Sequence, residues 1–74
     1  DLHADVAEFI PSEGSKVTQT PVKDLGLPVG MTIGGLVRDG VGLLVSGNTM
    51  IQPGDSVMVF CHNVNMKKIE KFFL

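Results

Sequence analysis

Seventy-four residues with a formal net charge of −2 and 43% hydrophobic side chains describe one small globular unit. That balance excludes a basic nucleic-acid binder and an acidic disordered tail, and the four Phe are not interleaved with Lys or Arg as a base-stacking surface would be. A lone cysteine, Cys61, excludes an internal disulfide, and His3, Cys61 and His62 cannot furnish the four ligands of a structural zinc site.

Val6 to Ile10 is short, β-prone and closed by Pro11, which cannot donate to a sheet ladder, so a first strand is predicted there. Ser12 to Ser15 reads as a turn, and Lys16 to Thr18 as a brief extended piece. Thr20, Pro21 and Gly26 stand where an N-cap, a first helical residue and a C-terminal stop belong, which predicts one or two turns of helix between them. Met31 to Val37 is the second strand. Asp39-Gly40 is a two-residue hairpin signal that joins it to Val41–Val45. Turns at Ser46–Thr49 and Pro53-Gly54 lead to the last strand, Ser56 to His62. Asn63 or Asn65 caps a closing helix whose apolar residues Met66, Ile69, Phe72 and Phe73 recur at 3–4 spacing, with Lys67, Lys68, Glu70 and Lys71 on its wet face. The whole is an α+β fold, a small four-stranded, mainly antiparallel sheet in the order β-α-β-β-β-α.

In the second strand, strict alternation puts Met31, Ile33 and Val37 on one face and Thr32, Leu36 and Arg38 on the other; in the last, Val57, Val59 and Cys61 oppose Met58 and Phe60. Both faces are therefore apolar, while two short helices cover about one. The uncovered face is expected to meet a second copy or a neighbouring domain, the alternative being a small barrel whose curvature hides the excess. A core this small rarely supplies more than about 3–5 kcal/mol alone, which also favours a partner. The chain begins at Asp1 without an initiator Met, so 1–74 is expected to be a single domain of a longer protein. No apolar run approaches the ~20 residues of a helical membrane span, and no signal segment opens the chain.

Catalysis has little support. The eight carboxylates are scattered over turns and ends, and no serine stands in a Gly-x-Ser-x-Gly elbow. Cys61 reads as a small hydrophobe within a strand, and His3 and His62 as surface residues. Neither catalytic nor metal-ligating residues are predicted. Gly30, Gly34 and Gly35 lack the Gly-Lys-Ser/Thr ending of a phosphate loop; a pair of glycines inside a strand instead marks a close approach across an interface, a ligand cleft or a bulge. Arg38, the sole arginine, either is solvated or pairs with Asp39 or Asp55, or else aims its fork of donors at an anionic ligand. Lys67, Lys68 and Lys71 read as a solvated helix face.

Four blocks in order, Val6-Ala7-Glu8-Phe9, Ser15-Lys16-Val17 to Leu25-Gly26-Leu27-Pro28, Ile33 to Gly40, and Gln52 to Phe60, cover nearly the whole chain. Together they resemble the C-terminal subdomain of the regulator-of-potassium-conductance family, the module of Trk-type potassium-uptake regulators. The resemblance implies a cytoplasmic, non-catalytic regulatory domain, peripheral to the inner membrane through a potassium transporter, that forms a homodimer through its sheet. It also implies a preceding nucleotide-binding domain, absent from this sequence, so neither NAD nor ATP is assigned here. In some relatives such a module binds cyclic di-AMP in a cleft at the dimer two-fold. On that reading Ile33, Leu36 and Arg38 contact ligand, and Met31, Ile33, Gly34, Gly35 and Val37 form the dimer interface. Two other readings stay open: a purely structural dimerisation module with no ligand, and the same module serving another transporter or exchanger.

Overall fold

The computed structural model describes residues 4–74; the expectations for Asp1 and His3 lie outside them. Its elements are β1 (Ala4–Phe9), two single 3-10 turns (Lys16–Thr18 and Val22–Asp24), β2 (Met31–Arg38), β3 (Val41–Leu44), β4 (Ser56–His62) and α1 (Met66–Phe73). The strands form one antiparallel sheet in the order β1-β4-β2-β3. It is an open sheet with β1 and β3 at its edges, not the closed barrel held as an alternative. The α+β class and the predicted succession of elements stand.

Local chemistry explains most boundaries. Asp39 and Gly40 both take positive φ, 51° and 77°, the geometry of a turn whose twist matches two antiparallel strands. The segment Lys16–Thr18 is a 3-10 turn rather than extended. Its backbone is captured locally: Thr18 N–H donates to Ser15 O at 3.0 Å and Thr18 Oγ1 to the same oxygen at 2.7 Å, which drives Val17 into the core. The helix expected after Pro21 is likewise a single 3-10 turn, and no side chain caps it. Asn65, not Asn63, caps α1, its Oδ1 accepting from Lys67 N–H at 2.8 Å. Of the predicted apolar stripe, Ile69, Phe72 and Phe73 are buried while Met66 is exposed in the first turn.

One face of the sheet carries the core. Met31, Ile33 and Leu36 from β2 and Val57, Val59 and Cys61 from β4 pack with Val17, Leu25, Ile51, Ile69, Phe72 and Phe73. Phe9 stacks on Phe73, ring centres 4.8 Å apart, and Ser12 N–H donates to Phe73 O at 2.9 Å, so the end of α1 is tied to the strand that opens the described fold.

One reading of the faces stands and one needs correction. In β4 buried and exposed residues alternate strictly, and the exposed set includes Met58 and Phe60, so both of its faces are apolar as expected. In β2 the predicted alternation fails, because Leu36 joins Met31 and Ile33 inside while Val37 lies outside. The cause is a β-bulge: Ile33 pairs with Val59 and Gly35 with the adjacent Met58, leaving Gly34 as an extra residue that resets the phase of the strand.

Candidate functional site

Among the described residues nothing covers the sheet face opposite the core. Register across it sets three rows: Val6, Phe60 and Thr32; Glu8, Met58, Gly35 and Leu44; Ser56, Val37 and Gly42. Val6, Val37, Met58 and Phe60 are all exposed, and Leu44 on the edge strand is 93% exposed. Polar residues share the face, with Thr32 beside Phe60 and Glu8 beside Met58, and Ser56 Oγ donates a hydrogen bond to Glu8 Oε2. A groove of about 280 Å³ runs between β2 and β3, lined by Gly35, Leu36, Val37, Gly42, Leu43, Leu44 and Met58.

The bulge shapes this face as well as the core. A Cβ built at Gly34 would stand 2.5 Å from Phe60 Cε2, so the ring lies directly across the glycine backbone. The absence of a side chain lets Phe60 lie down on β2 and broadens the apolar surface. Of the predicted interface residues, Gly34, Gly35 and Val37 belong to this side, whereas Met31 and Ile33 are core residues 5% exposed. Val6, Leu44, Met58 and Phe60 share the bare face and were not among the predicted interface residues. The signal for Met58 and Phe60 was the period-2 pattern of Ser56–His62.

Arg38 ends β2 on the core side of the hairpin. Its Nε donates to Asp55 Oδ1 at 2.9 Å and its Nη2 to Asp55 Oδ2 at 2.8 Å, a two-pronged pair, and Nη2 also reaches Met50 O at 3.1 Å. Gln52 N–H donates to Asp55 Oδ2 at 2.9 Å, so the carboxylate lies 2% exposed with both oxygens satisfied. The hydrogen bond from Arg38 foremost, with the Gln52 N–H and the guanidinium charge, holds the Asp55 carboxyl below the usual carboxylate range against the opposing effect of desolvation. The same bond raises Arg38 further above its already high value. The cluster clamps the β2–β3 hairpin to the turn that precedes β4. Among the described residues only Nη1 of the guanidinium lacks a hydrogen-bond partner. The other two predicted ligand contacts, Ile33 and Leu36, have their side chains in the core.

Cys61 is buried among core residues, and desolvation, assisted by the charge of Asp5, pushes its thiol pKa up. A thiol so placed is poor in thiolate and has little nucleophilic character. Among the described residues no three of His, Cys, Asp or Glu converge as a metal site would require, and no helix is long and apolar enough to cross a membrane.

Comparison with known proteins matches this arrangement to one family. Residues 6–74 fit the family described as the TrkA-C domain. The chain is 36% identical over 73 residues to the Trk system potassium uptake protein TrkA of Azorhizobium caulinodans, covering 99% of this chain and 16% of that protein. It is 27% identical over 70 residues to each of two relatives in Methanosarcina mazei, Trk system potassium uptake protein TrkA homologs 1 and 2, covering 95% of this chain and 16% of either. The chain thus spans about one sixth of the length of the curated relatives it matches. With the family match running from within β1 to the last residue of the chain, and the sheet, 3-10 turns and closing helix all inside it, the chain belongs to the TrkA-C domain family.

Proposed function

We propose that this chain is a regulatory and dimerising module of a potassium transport system, acting from the cytoplasm on a membrane transporter subunit through the protein of which it forms part. The observation that carries the reading is the bare apolar sheet face, joined to the likeness to Trk potassium uptake proteins over almost the whole chain. A surface holding Val6, Val37, Leu44, Met58 and Phe60 together is costly to leave in water, and a second copy of the same face covers it symmetrically. The role assigned is regulatory, in keeping with membership of the TrkA-C domain family and the likeness to Trk potassium uptake proteins.

In this reading two protomers meet through their sheets, and any bias in their relative orientation passes to the linked domains and on to the pore. Sensing of a small ligand, a cyclic dinucleotide by the family resemblance, belongs to the same proposal. It is supported by the groove between β2 and β3 on the bare face and, separately, on the other side of the strand, by the Arg38 nitrogen that lacks a partner among the described residues. Uptake of rubidium by cells whose own copy of the protein carries Phe60→Glu tests the regulatory role. The expected result is altered uptake at unchanged protein level; wild-type uptake from a folded variant would refute it. Thermal melting with added cyclic di-AMP tests the ligand: stabilisation should grow with concentration and disappear with Arg38→Ala. A flat response favours the purely structural dimer.

A further inference from the structure

On the core-covering side of the molecule, away from the bare sheet face, a second surface feature stands out. A shallow pocket of about 240 Å³ is lined by Lys16, Gly26, Pro28, Lys68, Lys71 and Phe72. It gathers three of the five lysines of a chain whose net charge is −2, and no carboxylate lines it. Nor does any carboxylate among the described residues form an ion pair with these lysines; the one such pair there is Arg38 with Asp55. Its floor is apolar: the Lys16 ammonium stands 4.8 Å from the centre of the Phe72 ring, and Pro28 forms part of the wall. Three separate parts of the chain meet here, the 3-10 turn at Lys16, the Gly26–Pro28 exit from the second 3-10 turn, and one side of α1.

Three lysines line one concavity, and cationic side chains gathered there favour an anion. Lysine ammoniums act as mobile point charges suited to the spread charge of a phosphate, while Pro28 and the exposed rim of the Phe72 ring, 8% exposed and faced by the Lys16 ammonium, offer an apolar contact. Lys67, adjacent in sequence to Lys68, does not line the pocket and is a control within the same helix. We infer that this pocket is a binding site for a phosphate monoester bearing an apolar or aromatic group, seated with its phosphate among Lys16, Lys68 and Lys71 and its apolar part against Phe72 and Pro28. Such a ligand bridges α1 to the two 3-10 turns, the elements that cover the core, and so stiffens the cover without touching the proposed dimer face.

Titration of the chain with phenyl phosphate, followed by amide NMR shifts, tests the site. Inorganic phosphate and vesicles containing phosphatidic acid separate a free ester from a bare anion and from a lipid headgroup. The expected result is saturable shifts centred on Lys16, Lys68, Lys71 and Phe72, with inorganic phosphate weaker because it cannot use the ring. Lys68→Gln and Lys71→Gln should each weaken binding by about fivefold, the size of one exposed charge contact, and Lys67→Gln should leave it unchanged. Tighter association with phosphatidic acid vesicles than with phenyl phosphate would overturn the free-ester assignment in favour of a lipid. Absence of saturation, or equal loss with Lys67→Gln, would overturn the site. Phe60→Glu, which targets the opposite face, should not change the titration, so failure of the dimer reading and failure of this one are distinguishable.

Discussion

Asp55 accepts hydrogen bonds from Arg38 Nε, Arg38 Nη2 and Gln52 N while almost wholly buried, so its protonation has a structural cost. Its pKa is lower in the folded chain than in the unfolded one, where the ordinary value is about 3.9. The contribution of the clamp is therefore fully present well above that value and is lost as pH falls through the folded pKa. Denaturant midpoints should decline over that acid range in the wild type, and Asp55→Asn should flatten the decline. Asp55→Ala should destabilise the fold at neutral pH by about 1–3 kcal/mol, because it leaves the Gln52 N–H and the guanidinium without their acceptor. Cys61 carries the opposite prediction: with its thiol buried and its pKa raised, it should react with a disulfide reagent slowly in the native chain and fast only in denaturant. The clamp was half legible in the sequence. The sequence offers Arg38 two carboxylate partners, Asp39 in the hairpin turn and Asp55 just before β4, and only the fold decides between them.

At the scale of elements, turn and cap chemistry made the topology readable and one inserted residue made the faces unreadable. Asp39-Gly40 dictates its hairpin locally, and the 3–4 spacing of Ile69, Phe72 and Phe73 fixes the buried side of α1. In β2, strict counting from Met31 assigns Val37 to the inside, and the bulge at Gly34 moves it outside and brings Leu36 in. Two glycines in a strand signal a bulge without saying on which residue the phase resets. Lys16 to Thr18 was misread for a related reason, since a 3-10 turn of three residues has too short a period to register. Phe73 joins α1 to β1 through its ring stack on Phe9, so Phe73→Ala should cost about 3–5 kcal/mol, measured by urea unfolding. Asn65→Ala should remove about 1 kcal/mol by uncapping the same helix.

At the scale of the molecule, one sheet face is covered by the chain's own turns and helix, and among the described residues the other is left bare. The excess of apolar surface was legible from composition and strand pattern alone, and so was the inference that something covers it. Its membership was not. Val6 reaches that face through its pairing with Phe60, far along the chain, and Lys16 meets Lys68 and Lys71 only once α1 folds back on the first 3-10 turn. The central claim is that the bare face, on which Phe60 lies across Gly34, is a self-association surface. Sedimentation equilibrium on the chain at tens of micromolar tests it most directly. The account predicts twice the chain mass for the wild type, and the single-chain mass for Phe60→Glu with an unchanged circular dichroism spectrum. A wild-type monomer at that concentration, or a dimer indifferent to Phe60→Glu, would contradict it.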